Sequence, residues 1–182
     1  MRYALWVQGC SLRCPGCCNP EMFAADGGEV RTVDALVAEI LAARALHGLE
    51  GLTVLGGEPL EQLSGLTALC RRVRAAGLGV LVFSGYTLAE VRALAGGAAL
   101  LASVDTLVDG RFVAGEREPA DGRRVVGSRN QALVHCTDRY ADPALWRGPP
   151  RLELQVGPSG ELSAHGDPDL ARRLVRGWSG AP

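Results

Sequence analysis

Four of the six cysteines fall between positions 10 and 18, and Cys10, Cys14 and Cys17 form a C-x₃-C-x₂-C array. Thiolates are soft ligands that select zinc, copper(I) or iron–sulfur clusters. The usual filled iron–sulfur site takes four cysteines, so three at this spacing leave one iron open. An open position separates a site that activates a substrate from one that only staples a fold. Gly9, Pro15, Gly16 and Pro20 interrupt any regular helix or strand here, which leaves a loop able to aim several sulfurs at one point. The array alone is also compatible with zinc. Cys18 is an extra thiol beside the third position, and spacing assigns the ligand role to Cys17 and makes Cys18 dispensable.

A second stretch, Gly56-Gly57-Glu58-Pro59-Leu60, follows the apolar run Leu52-Thr53-Val54-Leu55. Two glycines and a carboxylate therefore sit where a short strand ends, although Glu58 is also placed to act as the first-turn acid of the helix that follows. Cys70 lies in a helical stripe with Leu66 and Leu69 and reads as a small buried hydrophobe, and Cys136 ends a strand. His47, His135 and His165 show no ligand spacing, and neither a Ser-His-Asp set nor a carboxylate pair emerges.

The elements that position these residues follow from periodicity. Tyr3–Val7 is a short apolar run, the pattern of a strand buried on both faces, and it delivers Cys10 at its C-terminal end. Thr32 caps a helix to about His47, with Leu36, Val37, Ile40, Leu41 and Leu46 as its apolar stripe. A strand over 52–55, a helix over 62–76, a strand over 78–83 and a helix over 87–95 come next, with Gly77 and Gly85 as breaks. A strand over 104–108, a polar loop from Arg111 to Arg129 and a strand over 131–135 follow. After Pro149-Pro150, the alternation over 151–156, the turn Gly157-Pro158-Ser159-Gly160 and residues 161–164 predict a terminal hairpin. Strand and helix alternate steadily, which predicts an α/β fold with a mainly parallel sheet and right-handed crossovers. In such sheets ligands gather at the C-terminal ends of the strands, where Cys10, Gly56, Ser84 and Asp109 all fall.

With 182 residues, 47% hydrophobic and 21% charged, the chain suits one domain over 1–182 with a sizeable core. The net charge is −1 and the arginines are scattered, so no footprint for nucleic acid is present. The longest weakly polar run, Leu94 to Val104, falls short of the ~20 residues needed to span a bilayer, and no segment resembles a signal peptide. The expectation is a cytoplasmic protein without membrane contact, in which cysteines serve as metal ligands and buried thiols rather than disulfides.

The cysteine array after the first strand and Gly-Gly-Glu-Pro after the second resemble the radical S-adenosylmethionine enzymes. Val7-Gln8-Gly9-Cys10, Gly16-Cys17 with Asn19-Pro20, Asp105–Phe112 and Gly127–Gln131 narrow the resemblance to activating enzymes of anaerobic ribonucleotide reductases. The resemblance implies a partial (β/α) barrel carrying a [4Fe–4S] cluster on Cys10, Cys14 and Cys17. S-adenosyl-L-methionine would chelate the open iron and bind along Gly56, Gly57, Glu58 and Pro59, with Glu58 on its amino group. It also places Ser84 near the ribose or carboxylate, Asp109 and Arg111 at the methionine carboxylate, and Asn130, with less weight Ser128, at the adenosine or the incoming substrate. The implied reaction is reductive cleavage to methionine and a 5′-deoxyadenosyl radical, fed by flavodoxin or ferredoxin. A short chain leaves the barrel's side open, so the expected substrate is a protein loop: the glycine of a glycyl-radical enzyme, anaerobic ribonucleotide reductase. A stand-alone radical enzyme acting on a peptide or metabolite, and a non-enzymatic zinc or iron–sulfur module, are the alternatives.

Overall fold

Short apolar runs alternate with capped helices through the first two-thirds of the chain. The computed structural model describes residues 1–119, 121–148, 152–157, 159–166 and 168–178. β1 (Arg2–Val7) leads through the cysteine loop to α1 (Val33–His47), and β2 (Gly51–Gly56) leads through a 3₁₀ turn (Pro59–Gln62) into α2 (Leu63–Ala75). β3 (Gly79–Phe83), α3 (Leu88–Ala93), α4 (Gly97–Leu101), β4 (Thr106–Asp109) and β5 (Ala132–His135) complete the sheet. α1 starts where the Thr32 hydroxyl accepts from the Ala35 N–H at 3.1 Å and stops at Gly48, φ +63°. The helix expected over 87–95 is α3, ended where Leu94 turns extended; Gly96, φ +98°, then opens α4, which the sequence reading lacks.

The sheet runs in sequence order, β1-β2-β3-β4-β5, and its first three pairings are parallel. Leu5, Val54, Val82, Leu107 and Val134 fall in one row across it. Each right-handed crossover steps the same way, which puts the connecting helices on one face, and α1 packs on α2, α2 on α4 and α4 on α3. Between that layer and the sheet lies the core, where Ile40, Leu52, Val54, Val80, Val82 and Leu107 are wholly buried. β5 departs from the parallel rhythm and pairs antiparallel to β4. Among its described residues the 111–131 connection carries no crossover helix, and without one a chain returns beside its predecessor in the opposite direction. The result is an α/β fold with an open, mostly parallel five-stranded sheet.

Because the strand order never reverses, the C-terminal ends of β1 to β4 share one edge, with Val7 level with Gly56 and Phe83 with Val108. The opposite edge is closed by polar groups committed to the fold. Buried Asp105 accepts from the Val80 N–H at 2.8 Å and the Thr137 hydroxyl at 2.7 Å, and Arg2 bonds Thr53, Glu50 and Tyr140.

The chain divides into two units. One comprises Met1–Arg117 with Val126–Pro143, the other Glu118–Val125 with Ala144–Pro182. In the second, β6 (Leu152–Val156) and β7 (Leu162–Gly166) form the expected antiparallel hairpin, and α5 (Pro168–Trp178), which the sequence reading lacks, packs on β7. Pro149, Pro150, Arg151 and Pro158, named above at the hairpin's start and turn, lie outside the described residues. Among the described residues no helix is long and apolar enough to cross a membrane.

Candidate metal and cofactor site

The cysteine loop leaves β1 at Gly9, φ +96°, and is stitched back on itself where the Gly9 N–H donates to Met22 O at 2.9 Å and the Cys10 N–H to Phe23 O at 3.2 Å. The Gln8 side chain donates to the carbonyls of Glu21 and Ala24 at 3.0 and 2.5 Å. Within the loop the Cys17 N–H donates to Cys14 O at 3.1 Å. Arg13 takes a left-handed φ of +45°, and its guanidinium stands 5.8 Å from the Phe23 ring. Cys10, Cys14 and Cys17 are half-buried, Cys18 is exposed, and all four are free thiols. Burial pushes the Cys17 thiol up, the Asn19 N–H opposes this by donating to its sulfur at 3.5 Å, and the nearby Cys18 and Cys10 add to the rise. Among the described residues no three His, Cys, Asp or Glu side chains are grouped to hold a single metal ion. Three free, half-buried thiols on one loop are a donor set whose soft sulfurs fit the ligand chemistry of an iron–sulfur cluster.

Gly-Gly-Glu-Pro meets this loop directly. The Gly57 N–H donates to Val7 O at 2.7 Å and the Glu58 N–H to Gly9 O at 2.8 Å. Gly56 has φ +111°, and a Cβ there would stand 2.5 Å from Val7 N and 2.6 Å from Val7 O; one on Gly57 would overlap the Gly9 carbonyl. Both glycines are therefore demanded by backbone packing within the chain itself. Glu58 is 1% exposed. Its Oε1 accepts from the Leu60 N–H at 2.9 Å and the Ser84 hydroxyl at 2.8 Å, and its Oε2 accepts from the Gly85 N–H at 2.7 Å. Burial pushes this carboxyl up despite the three donors, and Glu61 adds to the rise. Glu58 thus caps the 3₁₀ turn that Pro59 opens and also ties the end of β2 to the end of β3.

The remaining sequence candidates separate into two groups. Ser84 is buried on Glu58, and Arg111 comes alongside, its Cγ 3.7 Å from where a Gly85 Cβ would stand, with Leu12 of the cysteine loop at the same point. The Arg111 guanidinium pairs with both Glu90 oxygens at 3.1 Å and lies 5.9 Å from the Tyr86 ring. Asp109 is instead committed to the fold: its Oδ2 accepts from the Leu88 N–H at 2.6 Å, capping α3, and its Oδ1 from the Ala132 N–H at 3.1 Å. Asn130 donates to Arg111 O at 2.8 Å, and buried Ser128 accepts from the Val113 N–H at 3.1 Å, so both pin the loop after β4.

Three site residues escaped the sequence reading. Glu61 accepts from the Ser11 N–H at 2.7 Å and the Ser11 hydroxyl at 2.6 Å, and Gln62 donates to Gln8 O at 3.0 Å. Leu12 covers Gly85 from the cysteine loop. The spacing of Glu58 and Glu61, one short turn apart, was the available signal.

The chain is similar to proteins of known family. Residues 1–134 match the 4Fe-4S single cluster domain family. The anaerobic ribonucleoside-triphosphate reductase-activating protein of Salmonella typhi is 34% identical over 141 residues, covering 74% of this chain and 88% of that one. Its counterpart in Vibrio cholerae is 32% identical over 143 residues, covering 75% and 88%. The pyruvate formate-lyase-activating enzyme of Staphylococcus epidermidis is 42% identical over 82 residues, covering 43% of this chain and 32% of that one.

Proposed function

From the premise that this chain belongs to the 4Fe-4S single cluster domain family and is a radical S-adenosylmethionine activase, we propose that it activates an anaerobic ribonucleotide reductase by taking hydrogen from a glycine of that enzyme. A [4Fe–4S] cluster and S-adenosyl-L-methionine are its cofactors, and when bound they supply the electron and the adenosyl carbon to which that hydrogen goes. In this reading Cys10, Cys14 and Cys17 hold the cluster. Gly56, Gly57, Glu58 and Pro59 shape the strand end that receives the methionine amino group, Ser84 and Arg111 flank it, and Asp109 and Asn130 act by holding the loops around it.

The observation that carries the proposal is the fusion of the cysteine loop and the Gly-Gly-Glu strand end into one hydrogen-bonded unit, through Gly57, Glu58, Glu61 and Gln62. A cofactor bound to both parts is thereby oriented by one rigid body, which is the protein's share in cofactor chemistry. Glu58 holds the ends of β2 and β3 together as a common wall, and its buried carboxylate has lone-pair capacity beyond the three donors it accepts. The open sheet supports reading the fold as a partial barrel of the radical S-adenosylmethionine type, with residues 1–182 acting as one functional domain. Helices cover one face, and Trp6, on a strand whose alternate residues enter the core, is 45% exposed, which suits entry of a protein loop. Flavodoxin or ferredoxin is the proposed donor and the cytoplasm the proposed location.

The test uses an anaerobic ribonucleotide reductase grown with Cα-deuterated glycine. With reductant and S-adenosylmethionine under anaerobic conditions, the activase should place deuterium in 5′-deoxyadenosine and leave a persistent glycyl radical on the reductase. Cleavage of the cofactor without a radical on the reductase would overturn the assignment of this substrate.

A further inference from the structure

We infer that Glu61 is a positioning residue for the cysteine loop, holding it through Ser11 and keeping both of Ser11's donors away from the sulfur of Cys10. The inference rests on the reading of Cys10 as a cluster ligand. Glu61 stands in the Pro59–Gln62 turn, whose own start is fixed by the Glu61 N–H donating to Glu58 O at 3.1 Å. From there a single oxygen, Oε1, accepts both the backbone N–H of Ser11 at 2.7 Å and its hydroxyl at 2.6 Å.

The neighbouring contacts are neutral: Gln62 to Gln8 O, and the backbone N–H of Glu58 to Gly9 O. Residues 8, 9 and 11 are thus all gripped from the Gly-Gly-Glu segment, and Glu61 alone brings charge to the grip. Hydrogen bonds to a charged partner are about twice as strong as neutral ones, so the grip at Ser11 should dominate.

The position after Cys10 gives the contact a second consequence. Hydrogen bonds to cluster sulfurs and local net charge set the reduction potential of an iron–sulfur centre. At Cys17 the sulfur receives the Asn19 N–H at 3.5 Å, whereas the two donors that follow Cys10 are turned towards Glu61. A carboxylate nearby, and donors withheld, both disfavour the more negative reduced state. Removing Glu61 therefore moves the potential in one direction, upward, by two additive routes.

The experiment compares Glu61→Ala, Glu61→Gln and Ser11→Ala with the wild type by three readouts: amide exchange at Ser11 in the metal-free chain, iron per chain after anaerobic reconstitution, and midpoint potential by redox titration. Glu61→Ala should speed Ser11 exchange at least about tenfold, the loss of one charge-assisted hydrogen bond, and should lower iron content. Glu61→Gln keeps an acceptor oxygen without the charge, so it should retain iron yet show a raised potential, which a purely structural role would not produce. Ser11→Ala keeps the N–H contact and should retain iron. Exchange at Ser11 unchanged in Glu61→Ala would overturn the positioning role, and a wild-type potential in Glu61→Gln would overturn the electrostatic one. Should the wild type itself take up no cluster, the ligand reading fails, while the exchange arm still decides on Glu61.

Discussion

Gly57→Ala tests whether the Gly-Gly pair serves the chain before it serves any cofactor. The new Cβ would stand 2.8 Å from the Gly9 carbonyl carbon and 3.1 Å from Gly9 N, closer still to the carbonyl oxygen. Those atoms are backbone and cannot swing aside as a side chain does, so the entry to the cysteine loop has to part from the end of β2. The hydrogen bonds Gly57 N–H to Val7 O and Glu58 N–H to Gly9 O, 2.7 and 2.8 Å, lie directly in that path. Each is worth about 0.5–1.5 kcal/mol, and forcing a methyl group into a packed site costs about 1–3 kcal/mol. Against this, alanine reduces the freedom of the unfolded chain by only about 0.4–1 kcal/mol. The net loss should be about 1–5 kcal/mol, read as a lower urea midpoint for the metal-free chain with its slope unchanged. If Gly57→Ala lost S-adenosylmethionine binding while its metal-free stability stayed within about 0.5 kcal/mol of wild type, the glycine would be there for the cofactor and the packing argument would fail.

Cys10→Ala, Cys14→Ala and Cys17→Ala should each be poor in iron after anaerobic reconstitution and Cys18→Ala normal; a depleted Cys18→Ala beside a normal Cys17→Ala would reassign the third ligand. Burial raises the Glu58 carboxyl above its ordinary 4.5, so between that value and the native one the folded chain holds a proton that the unfolded chain has released. Its stabilising contribution is then full below 4.5 and is lost as pH rises through the native value. Glu58→Gln, neutral at every pH, should flatten the fall in urea midpoint across that window, and an unaltered slope would count against the buried-carboxyl account. Asp109→Ala leaves the amides of half-buried Leu88 and exposed Ala132 without their acceptor and should cost about 0.5–1.5 kcal/mol per hydrogen bond lost. Arg111→Ala breaks a half-exposed pair with Glu90 and a distant contact with the Tyr86 ring, should cost under about 1 kcal/mol, and should show its effect in S-adenosylmethionine affinity instead; equal destabilisation by the two would refute the division between them.

What the sequence determined by itself is local. The C-x₃-C-x₂-C spacing, the glycines and prolines that keep it a loop, the capped helix from Thr32 and the alternation of strands with helices are all set by residues close along the chain, and all appear in the structure. Because right-handed crossovers follow from that alternation, the gathering of Cys10, Gly56, Ser84 and Asp109 at one sheet edge was legible too. The direction of β5 was not, since it depends on the absence of a crossover helix in a loop whose turns are irregular, and nor was α5 in the tail. Tertiary structure alone decided what each polar side chain does at the shared edge. Glu58 and Ser84 are 26 residues apart, Asp109 and Ala132 23 apart, and Ser11 and Glu61 50 apart. No periodicity relates such positions, so the backbone hydrogen bonds of Asp109 and Asn130, two residues the family resemblance singles out, were not legible in the sequence, and neither was the contact of Glu61 with Ser11. A donor or acceptor is committed by whichever partner the fold brings within about 3 Å, and for distant residues that distance exists only once the sheet has assembled.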